Sequence, residues 1–307
     1  MMIKTLEGLY RAARMFPYLN NLIMVFPFYA ILAVNGHIDS AYSLLLVLPF
    51  IGAISAGFMY NTICDAPYDP KHKNPITRGD ISEKTTRLGM IFSILISLLF
   101  FVIFYQSYLA FVLFLAYIFL WLTYSGFKVR FKETFLGPFI ASSMGFLIPL
   151  ILLVNFDYFN YPSNLLLVSY FMIYLAHEIK HTVVDYDEDK VNNVRTFAVI
   201  VGRGFSSIIE YLLLIMASAL LIISSYSIGN SATFNVIFAA LFLISIVSTI
   251  LYGFKNKFVV NEYLFNALPY MLIKIFIIVY ASLVFNLPAL LVLFIVWISL
   301  LDKYRTW

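Results

Sequence analysis

The sequence predicts an all-α fold: a polytopic membrane bundle of about nine transmembrane helices, or ten if its last apolar run crosses separately. Three observations predict it. The chain of 307 residues is 62% hydrophobic and 12% charged, whereas a soluble domain needs roughly 25% charged residues to cover its surface. Its apolar residues fall into runs long enough to span a bilayer. The connections between those runs alternate between nearly uncharged and basic. Aromatic residues make up 18% of the chain, which suits interfacial belts and could also line an apolar cavity. The net charge of +4 reads as a topology signal, and nucleic acid is not an expected partner. Cys64 is the only cysteine, so no internal disulfide and no multi-cysteine metal site is expected.

Taken in order, the apolar runs lie near 16–35, 41–61, 87–106, 108–125, 134–154, 164–182, 206–226, 231–253 and 263–284. Lys4, Arg11 and Arg14 precede the first run and no small-residue cleavage site follows it, so it reads as a retained helix and not as a removed signal peptide. A further run, 287–301, follows Asn286, Leu287 and Pro288; it is either a tenth span or the continuation of a kinked ninth. No soluble stretch is long enough to fold separately, so residues 1–307 read as a single transmembrane domain. The short connections around Asn35–Asp39, Gln106–Ser107, Asn155–Ser163 and Ser227–Ser231 are nearly uncharged. The others carry Lys71, Lys73, Arg78, Lys84 and Arg87, then Lys128, Arg130 and Lys132, then Lys180, Lys190, Arg195 and Arg203, then Lys255 and Lys257. The positive-inside rule puts this second set, with the N-terminus, on the cytoplasmic side. Lys303 and Arg305 favour a tenth crossing.

Two of the basic connections also hold most of the acids. In the first, Asn61, Asp65 and Asp69 form an N-x₃-D-x₃-D spacing. Positions four apart share a helix face, with about 40° of drift per step. Pro67 removes the hydrogen bond to Ile63 and should break the last turn, which places Asp69 on a turn and not on a regular helix. In the second, Asp185 and Asp189 share a face and Asp187 should point elsewhere. Asp65 to Asp185 and Asp69 to Asp189 are each 120 positions apart, a hint of two similar half-bundles facing each other. Carboxylates beside hydrocarbon are costly and mark function. Oxygen-only ligands on separate helices suit Mg²⁺, which completes its shell with water and substrate phosphates. Arg78, Arg130 and Lys132 are placed to hold outer phosphate oxygens. A molecule with a diphosphate head and a long apolar tail fits such a site at the mouth of an apolar bundle.

The bland readings are specific too. One D-x₃-D in a membrane loop is better read as a solvated face; two, each at the cytoplasmic end of a span, are not. Arg130 and Lys132 alone would be positive-inside determinants. His177 and His181 are four apart, a spacing that can bind zinc or iron. With four histidines in the chain, and His37 on the opposite side, no multi-histidine di-iron site can be assembled. His177 is better read as a polar cavity residue and His181 as an interfacial one.

These residues resemble the signatures of the UbiA superfamily of intramembrane prenyltransferases. Asn61, Asp65 and Asp69 look like its first signature, and the segment from Asn74 through Pro75, Arg78 and Gly79 to Ser82 is similar to the family's stretch before the third helix. His177-Glu178-Ile179 stands where the family often has Arg-Glu-Ile, and Asp185 and Asp189 fall on its second D-x₃-D. Arg195-Thr196-Phe197-Ala198-Val199 and Gly202-Arg203 resemble the segment that follows. Tyr124-Ser125, with Arg130 and Lys132, resembles the loop between helices four and five. The likeness covers roughly residues 10 to 280. Thr182 stands where many members have a further aspartate, which leaves one fewer metal ligand. Asn192 and Asn193 stand where a glycine is usual, and Pro138 where an asparagine is common.

The resemblance implies a bundle around a central cavity open laterally to lipid, in the cell membrane, with the active-site loops cytoplasmic. It implies that Asp65, Asp69, Asp185 and Asp189, with Asn61, hold Mg²⁺ on an isoprenyl diphosphate. The allylic C–O bond then ionises, and a lipophilic or aromatic acceptor captures the prenyl group. Tyr124 is a candidate to contact the diphosphate or the cation, His177 a polar residue at the substrate, and Arg14 a candidate for acceptor binding. A CDP-alcohol phosphotransferase would need a D-G-x₂-A-R stretch that this chain lacks. A transporter would place its ionisable groups nearer the midplane. A terpene cyclase would use the same diphosphate site without an acceptor.

Overall fold

The computed structural model describes residues 2–13, 45–69, 74–126 and 130–227, with Val25, Phe28, Tyr29, Leu32, Asn35 to Ile38 and Tyr42 between the first two stretches. Among the described residues there are nine α-helices, one 3-10 turn and no strand. The helices are α1 (Met2–Ala13), α2 (Leu48–Asp65), α3 (Glu83–Phe104), α4 (Tyr108–Ser125), α5 (Gly137–Asn155), α6 (Tyr161–Val184), α7 (Tyr186–Val191), α8 (Phe197–Val201) and α9 (Arg203–Ser227). Four are long and apolar enough to cross a membrane: α3, α4, α5 and, over Arg203–Leu221, α9. The expected runs 41–61 and 164–182 correspond to α2 and α6, whose apolar character is diluted by Asn61, Thr62 and Asp65 and by His177, Glu178, Lys180 and His181. Most of the run at 16–35, and all of those at 231–253, 263–284 and 287–301, lie outside the described residues.

Local chemistry sets the boundaries. Pro49, in the first turn of α2, starts that helix at Leu48, seven residues later than the apolar run begins. Ser82 and Ser107 cap α3 and α4 by accepting from Thr85 N and Ala110 N at 3.1 and 3.3 Å. Asn160 and Ser163 form a reciprocal capping box at the start of α6. Asn155 Oδ1 accepts from Gln106 N at 2.8 Å and Ser107 N at 3.1 Å, joining two of the short uncharged connections.

The described residues form two compact units. The first runs to Lys132 and includes Leu147–Asp157. In it α2 packs on α1, α3 and α4. Phe50 meets Tyr105, Phe114 and Tyr117 edge to face, and Phe101 stacks on Phe114 with ring centroids 4.2 Å apart. Small residues let the backbones close. A Cβ on Gly52 would stand 2.8 Å from Ser97 Cβ, and the Ser97 hydroxyl donates to Pro49 O at 2.6 Å. The rings of Trp121 and Tyr60 likewise fill the space where side chains of Gly57 and Gly126 would stand. On α3, Leu88, Phe92, Leu95, Leu99 and Val102 form an exposed apolar stripe at helical spacing.

The second unit holds Glu133–Phe146 and the chain from Tyr158 onward. Its frame is α6 packed along α9. Ser169 and Ser224 donate across that interface to Ala217 O and Pro162 O, each at 2.8 Å, and Lys180 pairs with the buried Glu210 at 3.6 Å. Leu175, Ile179 and Val183 of α6 form a core with Phe197 and Ala198 of α8.

Candidate functional site

In the first unit the site is built on the end of α2. Pro67 has no N–H, so the Ile63 carbonyl has no helical partner there and the helix stops at Asp65. The chain continues as a tight turn in which Tyr68 N and Asp69 N both donate to Asp65 O at 2.8 Å. Asp69 therefore lies on a turn just beyond the helix, as the proline predicts. Asp65 is buried, 6% exposed. Lys132 Nζ reaches its two carboxylate oxygens at 2.5 and 2.6 Å and donates to Asn61 Oδ1 at 3.0 Å. Arg130 donates to Asp65 Oδ1 as well, and its guanidinium lies 4.5 Å from the centroid of the Tyr68 ring. A buried carboxylate is strongly unfavourable without such partners. The structure thus brings Arg130 and Lys132, which the sequence nominates for phosphate, onto Asn61 and Asp65 of the first acidic motif. Gly126 lets Tyr60 lie against the end of α4, which carries Tyr124, half-buried, in its last turn.

The loop after Asp69 distributes roles differently from the sequence expectation. Arg78, a candidate phosphate holder, donates through Nε to Asp80 Oδ2 at 2.6 Å, and Asp80 also faces Arg11 at 3.5 Å. The two residues are neighbours in a turn closed by Gly79, whose φ of +83° a side chain would strain. Sequence reasoning names Asn74 only as the start of a resembling segment and gives it no role; it is 2% exposed. Its amide donates to Thr62 O at 2.9 Å and to Asp69 Oδ2 at 3.0 Å, and its oxygen accepts from Ile76 N at 3.0 Å. One side chain thus fixes Asp69 to the last turn of α2. An asparagine just before Pro75 is the available signal, since it is a residue pair that opens turns. Arg14 lies outside the described residues.

In the second unit, Asp185 closes α6 and opens α7. Its N–H donates to His181 O at 3.0 Å, and Asp189 N donates to Asp185 O at 2.8 Å, so the two acids share a helical turn. Asp187 points away and meets Arg203 at 3.0 Å. Thr196, buried at the start of α8, gives its hydroxyl to Asp189 Oδ2 at 2.8 Å. An N-cap threonine ordinarily binds its own helix; this one serves the carboxylate and makes no side-chain cap bond. Burial raises the Asp189 carboxyl above the usual range, the Thr196 hydrogen bond opposes the rise, and Asp185, Glu188 and Glu133 add to it. Thr182, where a further acid is common in the resembled family, is buried and donates to Ile179 O at 2.8 Å. Asn193 explains the missing glycine: its φ is +56°, a left-handed conformation that asparagine tolerates. His177, half-buried on α6, has its Nε2 3.1 Å from that of His181.

Comparison with known proteins gives a consistent result. The model of the UbiA prenyltransferase family matches residues 21–256. No curated protein matches the sequence. Among solved structures, a UbiA homologue from Archaeoglobus fulgidus bound to DMAPP and Mg²⁺ is 16% identical, with a TM-score of 0.68 over 91% of this chain and 99% of that one. A digeranylgeranylglyceryl phosphate synthase is 18% identical, with a TM-score of 0.67 over 92% and 99%. The apo structure of a UbiA homologue from Aeropyrum pernix K1 is 17% identical, with a TM-score of 0.63 over 85% and 97%. At these identities the likeness is one of fold.

Proposed function

The chain belongs to the UbiA prenyltransferase family, and from that premise we propose that it moves a prenyl group from an isoprenyl diphosphate to a lipophilic or aromatic acceptor within the membrane. The acceptor class we favour is a quinone precursor, a glycerol ether lipid or a similar molecule. The observation that carries this reading is the end of α2, where a buried carboxylate, an amide oxygen and two cationic side chains converge. The donor set fits a hard divalent cation, Mg²⁺ first among them. Asn61, Asp65 and Asp69 offer only oxygen, as do Asp185 and Asp189. These five residues would hold the metal in their respective units, and when bound it would neutralise the diphosphate as a leaving group.

The chain's own residues do the rest. Arg130 and Lys132 bring two positive charges to one carboxylate; toward a phosphate, a guanidinium would bind in a planar fork and an ammonium as a point charge. Asn74 and Thr196 orient Asp69 and Asp189 through their second oxygens, as outer partners orient metal-binding carboxylates generally. Tyr124, His177, Arg78 and Arg14 complete the proposed substrate set, with Arg78 acting from the Asp80 turn. The basic character of the connections supports a cytoplasmic side for these loops.

Diphosphate release tests the reading. Purified protein in nanodiscs is given geranylgeranyl diphosphate and Mg²⁺, with and without a panel of acceptors, and products are read by mass spectrometry. We expect a prenylated product that needs both metal and one acceptor. A cyclised hydrocarbon formed without acceptor would replace transfer by cyclisation. Folded protein that releases no diphosphate from any donor length would overturn the assignment.

A further inference from the structure

Helix α6 contains His177-Glu178-Ile179-Lys180-His181 one turn before Asp185. The spacing alone favours a cavity residue and an interfacial one; the geometry favours ligands. The two Nε2 atoms are 3.1 Å apart, on rings crossed at 78° with centroids 4.5 Å apart. A carboxylate oxygen of Glu178 completes a trio whose ligand atoms all lie within 4.8 Å of one another. A metal ion about 2.05 Å from each nitrogen would see the pair at an angle of about 100°, close to tetrahedral. Lys180 is engaged with Glu210 on α9 at 3.6 Å. His177 and Glu178 are half-buried and His181 is exposed, so an ion can arrive without unfolding the helix.

We propose that His177, Glu178 and His181 bind one divalent transition-metal ion of the Zn²⁺ class, separately from the oxygen-ligand chemistry of the aspartates. Imidazole nitrogen suits zinc, copper and nickel, whereas Mg²⁺ takes oxygen. Histidines four apart on a helix are a recurrent zinc-binding pair, and Glu178 joins them here by proximity and not by that pattern, in which the glutamate after the first histidine is the general base. Two imidazoles and one carboxylate leave a fourth position for water. All three residues stand on α6; His177 is shared with the proposed substrate set, so His181→Ala is the variant that separates metal binding from prenyl transfer.

The test is metal binding, not turnover. Chelator-treated protein in detergent is titrated with Cu²⁺ and followed by electron paramagnetic resonance, with Zn²⁺ measured in parallel by calorimetry. We expect one tight equivalent with nitrogen hyperfine structure, weakened at least tenfold in His181→Ala and in His177→Ala and retained in Asp65→Ala and Asp185→Ala. Thermal melts confirm that each variant is folded. A copper spectrum showing oxygen ligands only would overturn the proposal. So would binding lost in the aspartate variants and unchanged in His181→Ala.

Discussion

At the end of α2, Asp65 is buried between Arg130 and Lys132. On α7, just beyond α6, Asp189 is half-buried and has Asp185, Glu188 and Glu133 as acidic neighbours. The two acid pairs share a spacing in sequence and differ in electrostatics. The first carboxylate has its counter-charge within the fold. The second is raised by burial and by its own kind, with a hydroxyl as its named partner. Equal spacing is therefore not equal chemistry. The first end is organised to hold charge, and the second depends more on what binds to it and on pH.

Removing either acid is the severest way to break the comparison. Asp65→Ala and Asp185→Ala should each lower turnover by about 10³-fold, the scale of losing a charge-stabilising group. They should differ in stability. Asp65→Ala strands two cations that are about one-fifth exposed, which costs roughly 1–3 kcal/mol after discounting the fully buried case for solvent screening. Asp185 is exposed, and its loss should leave the melting temperature nearly unchanged. Turnover and thermal melts in one detergent check both, and wild-type-like turnover in either variant removes that residue from the site.

A milder substitution sharpens the contrast. Arg130→Gln should reduce kcat/KM by about 10- to 100-fold, the range for losing a charged partner of a bound phosphate or its ligands. Arg203→Gln, which breaks the exposed pair with Asp187 in the second unit, should change it by less than about threefold. Steady-state kinetics that gave the two arginines equal effects would erase the difference between the ends.

The smallest effect is in pH. The Thr196 hydroxyl stabilises the ionised form of Asp189 and so opposes the rise that burial causes. Thr196→Val removes that support, raises the Asp189 carboxyl further, and leaves more of it protonated at any acidic pH. The acid limb of the activity profile should move to higher pH, with the plateau little changed. An unmoved limb would mean that Asp189 does not set it.

Much of this was legible in the chain. Apolar runs gave α3, α4, α5, α6 and α9 to within a few residues, because span length and hydrophobicity are properties of a segment alone. Pro67 announced the turn under Asp69 for the same local reason. The start of α2 was misplaced because an apolar run does not say where its helix begins, and Pro49 does. Asn74 and Thr196 were not legible as partners of Asp69 and Asp189, since their hydrogen bonds depend on how the chain returns over seven residues or fewer through turns. Arg78 was nominated for phosphate, while the carboxylate two residues on lies within reach of its guanidinium. The joining of Arg130 and Lys132 to Asp65 crosses more than sixty residues, which no spacing rule reaches.

The exposed stripe on α3 bears on how this protein is handled outside its membrane. Between helices in lipid there is no hydrophobic force to hold them together, because the tails are as apolar as leucine. Close contact along Gly52 and Ser97 and a hydrogen bond from Ser97 to Pro49 O help fasten α3 to α2. Leu88, Phe92, Leu95, Leu99 and Val102 face outward, where acyl chains solvate them. A solubilising agent with long, slowly exchanging tails preserves that solvation. A short-tailed one exchanges quickly and can wedge into the seam, so the choice of amphiphile decides whether α3 stays seated against the helix that carries Asp65.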